Sequence, residues 1–198
     1  MQSFLRLVAP LALCVCVACA SVGRKFDYGN RTKLTLGQTT KAQATELLGK
    51  PQKSASLSNP DGTFEHIRYQ YAYGDLGGAA ARVLVLEFRA GLLNAYSYAS
   101  GFEEDSTEFD FEASAKIKTR KSKKTEVLKL LGEPTGKARC PSYLGDYAGK
   151  FTGSTEIWLW AYTSKTKGLR VNSAKSMTVF VSFDARGVAR DLLRSKDD

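Results

Sequence analysis

The chain has 198 residues, 29 Lys and Arg against 20 Asp and Glu, one His and a formal net charge of +9. That length suits one or two domains, and 43% apolar with 25% charged residues are the fractions of an ordinary soluble globular protein. The positive excess points to anionic partners: nucleic acid, lipid headgroups or acidic protein surfaces.

The first twenty residues choose among these. Arg6 supplies a short positive region, and Leu7 to Ala18 is an apolar run interrupted only by Pro10. A run that short is a signal segment rather than a spanning helix, and export argues against nucleic acid. Two processing sites compete. Val17-Ala18-Cys19-Ala20 resembles a bacterial lipobox, with lipid added to Cys19 and Cys16 standing where the pattern prefers Leu. The alternative is Ala18-Cys19-Ala20 as an A-x-A site cut before Ser21. Under the first reading residues 1–18 are the signal peptide, and Ala20 at the next position resembles an outer-membrane sorting signal. Cys140 is then the one unmodified thiol in the mature chain, too few for a disulfide or metal cluster. Under the second, a Cys19–Cys140 bridge becomes available.

An internal repeat follows. Phe26-Asp27-Tyr28 recurs as Phe109-Asp110-Phe111, Lys33-Leu34 as Lys116-Ile117, and Leu47-Leu48-Gly49-Lys50-Pro51 as Leu130-Leu131-Gly132-Glu133-Pro134. Every pair is 83 positions apart in the numbering. Two copies at that period predict two fused modules, residues 19–104 and 105–198, rather than a solenoid. In each copy the spacing predicts a weak helix, around residues 28–36 and 111–119. A second short helix follows in each, with Ala44, Leu47 and Leu48 or Val127, Leu130 and Leu131 on one face. Thr39 and Ser122 are the expected N-caps. Gly49 and Gly132 occupy the positive-φ exit, and Pro51 and Pro134 stop the helix.

Three strands are expected next in each copy. They are His66–Tyr73, Val83–Arg89 and Leu92–Tyr98, then Glu156–Thr163, Met177–Phe183 and Val188–Leu193. Ala90-Gly91 and Asp184–Gly187 serve as the tight turns. The predicted fold class is α+β, two tandem helix-helix-three-stranded antiparallel modules.

Gly37-Gln38-Thr39-Thr40 leading to Leu47-Leu48-Gly49-Lys50-Pro51 resembles the motif of the SmpA/OmlA (BamE-like) lipoprotein domain. The second copy has Arg120 and Ser122 in place of Gly37 and Thr39. The resemblance covers most of the mature chain and implies an accessory role beside outer-membrane assembly proteins. The tandem arrangement also resembles the secreted β-lactamase inhibitory protein. Neither relative is an enzyme.

Chemistry-bearing patterns are sparse. His66 stands beside an alternating strand, and nothing around Cys140-Pro141-Ser142 forms a nucleophile signature. Gly74, Gly77 and Gly78 precede no phosphate-binding helix. Glu103, Glu104, Asp105, Glu108, Asp110 and Glu112 lack calcium-loop spacing. No catalytic residue, metal or cofactor is expected. Two features suit partners instead. The run Lys116, Lys118, Arg120, Lys121, Lys123 and Lys124 suits anionic lipid headgroups, with Lys121, Lys123 and Lys124 as the candidate contacts. The solvated reading is that the acidic segment Glu103–Glu112 neutralises it. The strand Glu156–Thr163 is apolar on both faces, so Ile157 and Leu159, with Phe180 beside them, form either a module interface or a protein-binding patch. The expected function is a lipid-anchored periplasmic adaptor at the outer membrane that binds envelope or outer-membrane proteins. The alternative is a protein inhibitor or ligand-binding protein.

Overall fold

A computed structural model describes residues 20–75, 78–105, 107–144, 151, 153–165 and 175–197. The signal segment, including Cys19, lies outside the described residues, as do Gly77 and residues 145–150. Among the described residues the strands are β1 (Ala20–Gly23), β2 (Lys53–Asn59), β3 (Gly62–Asp75), β4 (Gly78–Arg89), β5 (Leu92–Ser100), β6 (Gly136–Arg139), β7 (Glu156–Thr163), β8 (Ser176–Phe183) and β9 (Ala189–Asp197). They form one nine-stranded antiparallel sheet, in the order β1-β3-β4-β5-β6-β7-β8-β9 with β2 also on β3. Two α-helices, α1 (Lys41–Leu48) and α2 (Lys124–Leu131), accompany it.

This overturns the expected pair of helix-helix-three-stranded modules. The sheet does not stop between the repeats, because β5 pairs with β6 and β6 with β7. The first helix expected in each copy is a 3-10 turn, Tyr28–Lys33 and Glu112–Lys116. Polar side chains there compete for the backbone: Asp27 accepts from Gly29 N–H and Asp110 from Ala113 N–H, local bonds that favour turns over α-helix. The missed strands β1, β2 and β6 are short or exposed on both faces, so no buried face imposes a period on them.

The helices and 3-10 turns pack on one face of the sheet in two clusters. Phe26, Leu34, Ala44 and Leu48 cover Ile67, Tyr69, Leu84, Leu86, Phe88 and Leu93. Ile117, Val127 and Leu131 cover Trp158, Trp160, Val179, Val181 and Phe183. Burying each of the Leu, Ile, Val and Phe side chains among them contributes about 1.5–3 kcal/mol. Each cluster's buried ring also satisfies a helix end: Tyr69 Oη donates to Gly49 O and Trp160 Nε1 to Gly132 O. Lys41 pairs with Glu65 as Lys124 pairs with Glu156.

The helix caps sit one residue later than expected. Thr39 Oγ1 and Ser122 Oγ accept instead from Thr35 and Lys118 N–H, closing the loop before each helix. In the first half Thr40 is the N-cap, and it makes a full capping box with Gln43. Its counterpart is Lys123. Glu126 accepts from Lys123 N–H, but an ammonium cannot accept in return, and Glu126 N–H turns to the Lys123 carbonyl. The preceding loops differ in the same way. Gly37 has φ +74° and donates to Leu93 O; Arg120 has φ +64° and donates to Ala189 O. A side chain in the left-handed region costs about 1 kcal/mol.

Candidate functional site

Strand pairing fixes which side chains share the face away from the helices. One row runs Arg68, Val85, Ser97, Gly136, Leu159, Phe180, Leu193, and the next His66, Glu87, Ala95, Ala138, Ile157, Ser182, Asp191. The centre of this face is therefore apolar. Ile157 and Leu159 are half-buried and Phe180 is buried.

Residues 140–144, which follow β6, form a strap on this face that is tied down by a buried carboxylate. Glu87 is fully buried. It accepts from Asn94 Nδ2 (2.7 Å) and Tyr143 N–H (2.7 Å) and bonds His66 Nε2 at 2.9 Å. Asn94 Nδ2 also donates to Arg139 O and Pro141 O. Burial pushes the Glu87 carboxyl up, but the bonds from His66, Asn94, Tyr143 and Ser142 outweigh it and hold the group below its ordinary value. The Tyr143 ring packs edge-on against Phe64, centroids 4.7 Å apart. Further along, Phe151 lies 6.1 Å from the Phe180 ring. Between this strap and the sheet lies a cavity of about 180 Å³, lined by Val85, Ala138, Leu144, Ile157, Leu159 and Phe180. Phe151 thus covers part of the face from within its own half.

The other features flagged in the sequence are placed as follows. Cys140 is half-buried, and burial, then the charges of Glu156 and Glu87, push its thiol up to about 11. A thiol so held is a poor nucleophile at neutral pH. His66 is engaged with Glu87. Among the described residues no group of three His, Cys, Asp or Glu side chains could hold a metal ion.

The structure divides the basic run. Lys124 pairs with Glu156 and lies 5.4 Å from the centroids of the Trp158 and Phe183 rings, half-buried against the helix-side cluster. Lys116, Lys118, Arg120, Lys121 and Lys123 are exposed, and no ion pair reaches them among the described residues. Half of the acidic residues expected to neutralise them are paired elsewhere. Glu104 and Asp105 pair with Arg82, and Glu112 with Arg194 and Lys196.

Sequence reasoning missed Glu87, Asn94, Tyr143 and the Arg82–Asp105 pair. One signal was present: Glu87 is the lone charge in the run Val83–Phe88, on the face opposite Leu84 and Leu86. Asn94 carried none, because the register shift at Glu87/Phe88 is what brings it beside Glu87.

No family model matches the chain, and no curated protein matches it. Among solved structures it is similar to a "putative beta-lactamase inhibitor protein" from Streptococcus mutans, at 13% identity and a TM-score of 0.47, covering 86% of this chain and 98% of the other. A likeness at that level carries neither fold nor function. The SmpA/OmlA resemblance thus has the repeat motifs alone behind it. No helix among the described residues is long and apolar enough to cross a membrane.

Proposed function

We propose that this is a partner-binding protein of the bacterial envelope that grips an exported protein with the helix-free face of its sheet, as a protein inhibitor does. The observation that carries the reading is the apolar cavity of about 180 Å³ on that face, floored by Ile157, Leu159 and Phe180. A pocket of that size admits one aromatic or aliphatic anchor side chain, the kind of contact that dominates protein interfaces. In this reading Cys19 carries a lipid that keeps the protein at the periplasmic face of the outer membrane.

One experiment tests pocket and anchor together. A photo-crosslinking residue replaces Ser97, beside the pocket, in intact cells, and crosslinked proteins are identified by mass spectrometry in membrane and soluble fractions. Leu159→Lys is expected to abolish the crosslink, weakening the partner at least tenfold, about 1.4 kcal/mol or more, with little change in Tm. Cys19→Ala is expected to move the protein into the soluble fraction. No Ser97 crosslink, or one that survives Leu159→Lys, sinks the binding-face reading; an unmodified wild-type N-terminus at Ser21 sinks the anchor. A crosslinked enzyme that the purified protein inhibits favours the inhibitor reading, and a stable membrane complex favours the adaptor.

A second reading concerns the exposed cations. The first half carries Gly37 and Thr40 where the second carries Arg120 and Lys123, residues less suited to those backbone positions. Charge kept against local preference suits contact with anionic headgroups, worth about 1 kcal/mol per cation near the surface. The double variant Arg120→Gly/Lys123→Thr is therefore expected to gain about 1–2 kcal/mol of stability, from relief of the left-handed side chain and a restored cap. It also binds anionic vesicles more weakly in low salt. A variant that is less stable, or binds as before, removes this reading.

A further inference from the structure

We infer that β2 is a self-pairing edge through which two copies of this chain join their sheets antiparallel. β2 pairs with β3 along one side, and among the described residues no strand lies along the other. Residues 53–58 are exposed, Leu57 at 41%. An exposed edge of unpaired backbone groups is a template for another strand unless charge, proline or a bulge blocks it. β2 carries one charge, Lys53, and no proline.

The occupant follows from the register. The two-fold pairing that uses the whole of β2 centres on Ser56. It sets Ser54 opposite Ser58, Ala55 opposite Leu57, and Lys53 opposite Asn59 of the second copy. No like charges meet. Ala55 and Leu57 pair with His66 and Phe64 of β3, so they lie on the helix-free face. Each Leu57 would gain an Ala55 neighbour there while the serines meet on the other face, a self-complementary arrangement of the kind isologous dimers require.

The far edge of the sheet supplies the contrast. The same construction on β9 centres on Leu193 and puts Arg190 opposite Lys196 twice, a like-charge pairing that repels. One edge is guarded and the other is not.

The test uses the full chain in detergent at tens of micromolar. Sedimentation is expected to give a dimer, and Ser56→Lys, which sets two lysines face to face, to raise its dissociation constant at least tenfold without lowering Tm. Ser56→Cys is expected to form an inter-chain disulfide, since directly opposed residues in antiparallel strands lie about 4.5–5.5 Å apart at Cα, within disulfide reach. Leu193→Cys, at the centre of the same construction on β9, is the control and is expected to remain a free thiol within the dimer joined at β2. A monomer at these concentrations overturns the inference, as does equal crosslinking of both cysteine variants. A foreign extended segment recovered on β2 in place of a second copy also overturns it.

Discussion

Replacing Asp105 with Ala is expected to lower the unfolding free energy by about 3–5 kcal/mol, about 10 °C in Tm for a chain of this size. Asp105 is buried where the two halves of the chain meet. Tyr98 Oη and Ser100 Oγ both donate to Asp105 Oδ2, and Arg82 Nε lies 3.2 Å from the same oxygen. Arg82 is itself buried and also donates to Glu104, with its guanidinium 4.2 Å from the Phe102 ring centroid. Burial, and then the hydrogen bond to Asp105, push the Tyr98 hydroxyl far above its ordinary value, so it remains a donor across the accessible range. Removing the carboxylate takes the Asp105 acceptor from two buried hydroxyls and one of the two carboxylates beside the buried Arg82. Much of the loss is that orphaning rather than the worth of the pair, so Arg82→Met/Asp105→Leu is expected to recover part of it. Urea denaturation of the three variants checks this. A loss within about 1 kcal/mol for Asp105→Ala would mean that the pair is not buried as described.

The periodic parts of the chain were legible before the structure. Leu84, Leu86, Trp158, Trp160, Val179 and Val181 alternate because one face is core, and the helix stops at Gly49 and Gly132 follow from backbone geometry at positive φ. What joins the halves was not legible. β6 is four residues of Gly-Lys-Ala-Arg, with no pattern that separates it from a loop, yet its pairing makes one sheet out of two. The site was half legible. Ile157, Leu159 and Phe180 announced an apolar outer face, but Phe151 and Tyr143, which cover and fasten it, come from a stretch without period. The basic run was visible as composition. Only the structure separated Lys124, over the Trp158 and Phe183 rings, from the exposed cations before it.

The strap over the apolar face is expected to loosen in acid through Glu87. The folded-state pKa of Glu87 is lowered. Its charged form therefore contributes stability that is fully present above the unfolded carboxylate value, about 4.3, and is lost as pH falls through the lower folded value. Protonation removes the charge that His66, Asn94 and the Tyr143 N–H converge on. The Tyr143 bond is the one by which the Glu87 carboxylate itself holds the strap, so local loosening precedes global unfolding. Glu87→Gln keeps the shape and removes the charge. It is expected to cost about 1–2 kcal/mol, the difference between charge-assisted and neutral hydrogen bonds at one buried group. Glu87→Ala, which leaves the Tyr143 N–H without its acceptor and takes one of three acceptors from the Asn94 amide, is expected to cost about 3 kcal/mol. Hydrogen exchange at Tyr143 separates this latch from a general stability effect. In the parent its protection falls as pH drops below the unfolded carboxylate value, about 4.3, while that of Val179, deep in the sheet, holds; in Glu87→Gln it is lower than the parent's at neutral pH and does not change with pH. Should both amides lose protection together, Glu87 stabilises the sheet as a whole and does not fasten the strap over the pocket.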